Sequence, residues 1–376
     1  MADFYQDIRS IDPRMATVPV NRNGLAWHLP FEAPMRLFGF PWFEQDHAYN
    51  RLPLVRPAEV TQFPNGVKTM VPAKNCGAYS LSSNTAGGQV RFRTDSARFA
   101  VDVEECGNVL FDHCAATGTN GLDLYLMEKG RWVCVGVTRF DPAKAAFSTE
   151  IANGIRREMR DVIINLPTYS GLSKLFIGLE ETAHVEPPTP FASEEPVVWY
   201  GTSITQGGCA TRPGLAASNI LSRLLDREVV NQGYSGSGRG EPEIAEMLAQ
   251  IPNPAIYLLD YTWNVGVAEL QATLPTFLDI LREKHPTVPI LLVAPTPGCG
   301  ALEIAPDKTH EEKTDYMVET CRKRRADGDL RIFFFDALHE GCGEDFWEGY
   351  VDGCHLNDQG FYRLANAICP VVKALL

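Results

Sequence analysis

The feature that most constrains this chain is a change of hydrophobic period at one proline-rich stretch, "HVEPPTPFASEEP", which begins at His184. Ahead of it apolar residues alternate with polar ones. In "QVRFRTDSARFAVDVEE", Val90 and Phe92, then Phe99, Val101 and Val103, fall on every second position, as half-buried strands require. Behind it stand unbroken apolar runs of strand length, "PVVWYG", "EVVNQG", "AIYLLDYT", "PILLVAPT" and "RIFFFDA", separated by helix-patterned stretches. The two patterns need different architectures, and 376 residues are enough for two cores. The sequence therefore predicts two domains, 1–190 including the linker and 191–376, with the boundary near Pro190.

In the first half, "GLDLYLMEKGRWVCVGV" reads as two strands joined by a turn at Glu128, Lys129 and Gly130, and "DVIINLP" and "SKLFIGLE" supply two more. With no amphipathic helix between them, these strands predict an antiparallel β-sandwich. In the second half, Leu270, Leu274, Phe277, Ile280 and Leu281 follow helical spacing and mark one buried face. Five strands with intervening helices predict an α/β domain with a parallel sheet covered on both sides. Its ligand crevice should lie outside the carboxyl ends of the strands, where the strand order reverses.

Composition narrows the function classes. The chain carries 34 basic and 47 acidic residues, a net charge of -13, and its one dense basic tract is the short "CRKRRADG" from Cys321 to Gly328. That balance argues against a nucleic-acid partner. No apolar span of about 18 residues occurs, so no membrane crossing is expected. The opening "MADFYQDIRSIDPRMATVPV" has no leader pattern, which points to the cytoplasm, although a leader removed ahead of Met1 leaves no trace here. The ten cysteines include no C-x-x-C pair. His28, His47, His113, His184, His285, His310 and His339 form no metal-ligand spacing, and "HEG" at 339–341 is not H-E-x-x-H. No metal and no cofactor are expected. Nothing in the residues specifies an oligomeric state.

Polar residues gather at the predicted strand ends. The first run ends in "GTSITQG", the second in "NQGYSGSGRG" and the third in "DYTWNVG", while "YVDGCHLNDQGF" puts Asp352 and His355 three residues apart before the last helix. A lone Ser203 reads as readily as a turn hydroxyl as it does as a nucleophile. A serine hydroxyl becomes nucleophilic with a base in hydrogen-bond reach and a third group orienting that base, roles open to His355 and Asp352. "SGSGRG" with Asp260 raises a rival, a dinucleotide site, but Gly236, Gly238 and Gly240 are one residue short of G-x-G-x-x-G and follow the second strand of the domain instead of the first. The G-x-S-x-G elbow is absent around Ser203. Cys354 sits beside His355, where the imidazole is poorly placed to activate it, and reads as a packing residue.

Gly201-Thr202-Ser203-Ile204, Gly236 in "GYSGSG", Asn264 and Asp352-x-x-His355 resemble, in order, the four sequence blocks of the SGNH, or GDSL-like, hydrolase family, across nearly all of residues 195–376. Thr202 stands where that family has aspartate, and Val265 follows Asn264 where a second acid is usual. "GLDLY", Gly121 to Tyr125, is similar to the signature of a β-sandwich domain that precedes a subset of these hydrolases. The resemblance implies a flavodoxin-like three-layer hydrolase domain behind a jelly-roll-like antiparallel β-sandwich. It implies a triad of Ser203, His355 and Asp352, and oxyanion donors from the Ser203 and Gly236 backbone N–H and the Asn264 amide. Thr202, Tyr234 and Trp263 would lie beside the substrate. The implied activity is hydrolysis of short acyl esters, particularly acetyl groups on carbohydrate, with a small-molecule or saccharide ester as substrate. An acyltransferase using the same triad, or a non-catalytic carbohydrate-binding protein, remains open at this point.

Overall fold

The computed structural model describes residues 7–12, 15, 17, 19–54, 77–107, 109–298, 309–341, 343 and 345–376. Half of the opening stretch read for a leader lies outside them. Among the described residues, no helix is long and apolar enough to cross a membrane.

The first half folds as two antiparallel sheets. One has the order β1 (Leu25–His28), β9 (Gly171–Glu180), β4 (Arg98–Cys106), β7 (Ala146–Asn153). The other runs β10 (Val185–Glu186), β3 (Gln89–Thr94), β8 (Arg160–Asn165), β5 (Asp123–Glu128), β6 (Arg131–Val137), with β2 (Arg36–Phe38) also paired to β3. The alternating residues explain why two sheets form. Val90 and Phe92 of β3, Phe99, Val101 and Val103 of β4, Leu124 and Leu126 of β5, and Ile177 and Leu179 of β9 all meet in one apolar core. The β5–β6 hairpin turns through Lys129 and Gly130, both with positive φ, the geometry that matches the twist of the two strands.

The second half contains a parallel sheet with the order β12 (Val229–Gly233), β11 (Val197–Gly201), β13 (Ile256–Asp260), β14 (Ile290–Val293), β15 (Ile332–Phe335). This is the flavodoxin-like order, second-first-third-fourth-fifth. Both faces are apolar because both are covered. Val198 and Tyr200 of β11 point to one face, packed with Leu270, Leu274, Phe277 and Leu281 of the helix Val267–Lys284. Val197 and Trp199 point to the other, with Ile220 and Leu221 of the helix Ala217–Leu225 and Phe361, Leu364 and Ile368 of the helix Asp358–Leu375.

The halves meet through buried polar groups. The guanidinium of Arg51, fully enclosed, donates to the carbonyls of Leu81 (2.8 Å), Asn84 (2.8 Å) and Gly233 (2.6 Å), and lies over the Tyr234 ring. Asp123 of the "GLDLY" segment accepts from the Asn165 amide (2.7 Å), Arg212 Nη1 (2.9 Å) and the Gly214 N–H (2.8 Å). Tyr125 also meets Arg212. The motif thus ties the two halves together, its carboxyl enclosed by donors from both, while burial raises that carboxyl above the usual range against the pull of Asn165, Arg212 and Gly214.

Candidate active site

The strand order reverses beside β11, and the polar strand ends collect there. β11 stops at Gly201, whose Cα has no room for a side chain: an added Cβ would stand 2.0 Å from Thr205 Oγ1. Thr202 is the N-cap of a single helical turn, Ser203–Gln206, and its Oγ1 accepts from the Ile204 N–H (3.2 Å). Gly207, at φ 100°, ends the turn. Ser203 thereby sits at the tip, 8% exposed, with its backbone N–H among the first N–H groups of the turn, where intrahelical acceptors are lacking.

The opposite wall comes from the segment before the last helix. Gly353, at φ 78°, folds Asp352 back onto the chain that follows it. Oδ1 accepts from the N–H groups of Cys354 (3.0 Å) and His355 (2.7 Å), while Oδ2 lies 2.7 Å from His355 Nδ1. His355 Nε2 is 2.9 Å from Ser203 Oγ. The three side chains make one hydrogen-bonded line from carboxylate to imidazole to hydroxyl. Partial burial works against the charge on Asp352, but the His355 ring and the two backbone donors outweigh it and hold the carboxyl down, to about 2. It is an anion throughout the neutral range, and a carboxylate at Nδ1 leaves Nε2 as the basic nitrogen facing Ser203.

The glycine-rich turn after β12 approaches from the side. Gly236 takes φ 64° and has open space around its Cβ direction. Gly238 does the opposite work: a Cβ there would lie 2.0 Å from the Gly201 carbonyl oxygen, so only glycine lets this turn seat on the end of β11. Asn264, just past β13, donates from Nδ2 to the carbonyls of Tyr234 (3.2 Å) and Gly238 (3.0 Å). The amide therefore braces the turn.

Of the three residues expected beside the substrate, Thr202 and Tyr234 are completely enclosed. The Thr202 hydroxyl is engaged in the N-cap, and the Tyr234 hydroxyl contacts the Gln232 side chain beneath Arg51. Neither side chain offers surface to a ligand: Thr202, a short polar residue at a strand end, finds a backbone partner first, and Tyr234 is enclosed beneath Arg51. Trp263 is partly exposed, with Nε1 donating to Thr296 Oγ1 (3.0 Å) and its ring edge-on to His310. Asp260, the acid of the rival dinucleotide reading, is buried and accepts from Thr205 Oγ1 (3.0 Å), which leaves it no ribose to meet.

Three groups near the line carried no local signal in the sequence. Gln206 ties the serine turn to both neighbours: its Nε2 donates to Asn84 Oδ1 (3.1 Å) and the Thr168 carbonyl (3.0 Å), and its Oε1 accepts from the Ser235 N–H (2.9 Å). From the first half, Phe111 packs edge-on to Tyr169 and His113, and the His113 ring centroid is 5.9 Å from that of His355. Cys114 Sγ lies 3.3 Å from Cys209 Sγ, and that contact, with help from the neighbouring histidines, pulls the Cys114 thiol down to about 6 despite its partial burial. No spacing rule joins residues 113, 114, 209 and 355: His113, Cys209 and His355 come together only through the fold, which local sequence does not reveal.

A family model described as GDSL-like lipase/acylhydrolase matches residues 194–373, and a second, the N-terminus of SGNH-hydrolase-type esterases, matches residues 25–185. Among solved structures, one described as a GDSL-like lipase from Bacteroides ovatus aligns with a TM-score of 0.80 and 26% identity over 93% of this chain and 98% of its own. A salicylyl-acyltransferase from a tetracycline biosynthetic pathway aligns with a TM-score of 0.67 and 19% identity over 94% of this chain and 98% of its own. A family two carbohydrate esterase from Clostridium thermocellum, in complex with cellohexaose, has a TM-score of 0.54 and 12% identity over 77% of this chain and 94% of its own. The last two share the fold. No curated protein matches the chain.

Proposed function

We propose that this chain, which carries a GDSL-like lipase/acylhydrolase domain behind the N-terminal domain of SGNH-type esterases, is an ester hydrolase that cleaves short acyl esters, acetyl above all, from a carbohydrate through an acyl-enzyme on Ser203. The observation that carries the reading is the unbroken line Asp352–His355–Ser203, with contacts of 2.7 and 2.9 Å. His355 Nε2 takes the Ser203 proton as Oγ attacks the ester carbonyl, and returns it to the departing alcohol. Water then repeats the sequence on the acyl-enzyme. Asp352 holds the imidazole in the tautomer that exposes Nε2 and stabilises the imidazolium.

The negative charge that forms on the carbonyl oxygen is met by the N–H groups of Ser203 and Gly236 and by one N–H of Asn264, released from the turn carbonyls. Each such donor is worth about 2.7–4 kcal/mol at the transition state. Trp263 borders the acyl group. Residues 1–190 and 191–376 are the two domains, the first a β-sandwich that brings Phe111 and Tyr169 near the triad. The sugar reading leans on the carbohydrate esterase among the structural relatives, and likeness to an acyltransferase favours a second one, in which an alcohol takes the acyl group in place of water.

A chromogenic acetate ester tests the chemistry: rapid release by the wild type and background release by Ser203→Ala is the expected result, and equal rates from both overturn it. Acetylated saccharides against p-nitrophenyl esters of increasing chain length test the substrate class. Partitioning of product between water and an added alcohol separates hydrolase from transferase.

A further inference from the structure

Beside the reacting line lies a second constellation that ester hydrolysis does not use. His113, Cys209 and His355 each bring a ligand atom to within 4.8 Å of the others. Cys114 Sγ stands next to that group, 3.3 Å from Cys209 Sγ, and joins it as a fourth ligand by rotation of its side chain. Two imidazoles and two thiols are the donor set of a tetrahedral zinc site, where zinc–sulfur bonds of about 2.3 Å put the two sulfurs about 3.8 Å apart. The present separation is half an ångström shorter and opens with a small change of side-chain rotamer.

Each histidine has a carboxylate at Nδ1, and His113 Nε2 also lies 3.9 Å from Asp352 Oδ2. His113 Nδ1 is 2.8 Å from Asp112 Oδ1, and His355 Nδ1 is 2.7 Å from Asp352 Oδ2. A carboxylate on one ring nitrogen fixes the proton there, leaves the lone pair of the other nitrogen outward, and raises its basicity; metal-binding histidines are held like this as a rule. The loop bearing His113 and Cys114 comes from the first half of the chain, and Cys209 and His355 from the second, so a bound ion would cross-link the two. Hydrolysis needs the lone pair of His355 Nε2, and so does the metal.

We infer that the cluster His113, Cys114, Cys209 and His355 is a zinc-binding site whose occupation switches the hydrolase off reversibly by taking His355 Nε2 away from Ser203. The clause on activity rests on the triad reading above; the binding itself does not. Soft ligands select zinc, cadmium or cobalt over the oxygen-seeking magnesium and calcium. Binding displaces the thiol protons to solvent and leaves both oxidation states unchanged.

The test uses the full chain kept reduced with a phosphine. Zinc is titrated against a chromophoric chelator, and cobalt is added separately to read the thiolate-to-metal charge-transfer band in the near ultraviolet. One ion per chain, a thiolate band, loss of acetate-ester hydrolysis over the same zinc range and full recovery with EDTA are expected, with magnesium and calcium inert. His113→Ala and Cys114→Ser, at partly exposed positions, should each weaken zinc at least on the order of tenfold while the uninhibited rate is kept; Asp112→Asn should weaken it without touching a ligand. Unchanged zinc affinity in both ligand variants, a cobalt spectrum without the thiolate band, or no binding at all overturns the inference. Ser203→Ala separates the two claims. Normal zinc binding by that inactive variant supports the site. Hydrolysis that depends on Ser203 yet ignores saturating zinc sinks the inference and leaves the triad standing.

Discussion

Asp260→Asn tests the claim that the carboxyl at the end of β13 is a buried structural acid beneath the serine turn. Its side chain is 4% exposed and accepts from the Thr205 hydroxyl at 3.0 Å. Burial raises the carboxyl from 3.8 to about 7 in the folded protein. Below pH 4 the group is protonated whether the chain is folded or not. Between pH 4 and 7 the unfolded chain releases the proton and the folded chain keeps it, so the folded state binds more protons and stability falls as pH rises through that window. Above pH 7 the loss is complete. A shift of about three units corresponds to about 4 kcal/mol. Asparagine keeps an oxygen for Thr205 and cannot ionise. Urea denaturation from pH 4 to 8, followed by tryptophan fluorescence, should give a variant that matches the wild type at the acid end and exceeds it by up to about 4 kcal/mol at pH 8. Other raised acids, Glu105 at about 7 among them, tilt both curves equally and cancel in the difference. A difference that does not change with pH refutes the reasoning.

Three further perturbations test other parts. Asp352→Asn keeps an oxygen for the Cys354 and His355 N–H groups but sets an amide NH2 against His355 Nδ1, and should lower kcat by on the order of 10³–10⁴ with little change in KM, read from steady-state ester hydrolysis. Asp123→Ala strips the enclosed interdomain carboxylate from Arg212, Asn165 and Gly214 and should cost about 3–5 kcal/mol in chemical denaturation. Gly236→Ala and Gly238→Ala form a matched pair in thermal denaturation. The first faces open space at φ 64° and should cost about 1–2 kcal/mol, while the second drives a methyl to 2.0 Å from a backbone oxygen and should cost more and unseat the turn. The reverse order contradicts the account.

Local pattern carried the sequence reading a long way, for physical reasons visible at particular residues. Period-two runs such as Phe99, Val101 and Val103 mark strands that bury one face, and the solid run at 197–201 marks a strand buried on both. The switch-point rule alone puts the serine turn, the glycine-rich turn and Asn264 at one edge, and Asp352 and His355 are legible because the segment is short enough to fold on itself. What failed to show was whatever depends on contact between distant segments. Thr202 and Tyr234 lie next in sequence to the reacting groups, yet their side chains turn into the N-cap and under Arg51. Gln206, Arg51 and the grouping of His113 and Cys114 with Cys209 and His355 arise from the docking of two halves, for which no spacing within either half is a signal.

The account turns on Ser203 Oγ forming a bond to the acyl group. Quenching the wild type in acid during turnover of a slow aryl ester, then mapping the protein by peptide mass, measures that bond directly. The account predicts one acyl group per chain on the peptide containing Ser203, lost on further incubation, and none in Ser203→Ala. An acyl group on another residue, or turnover by Ser203→Ala at the wild-type rate, would contradict it.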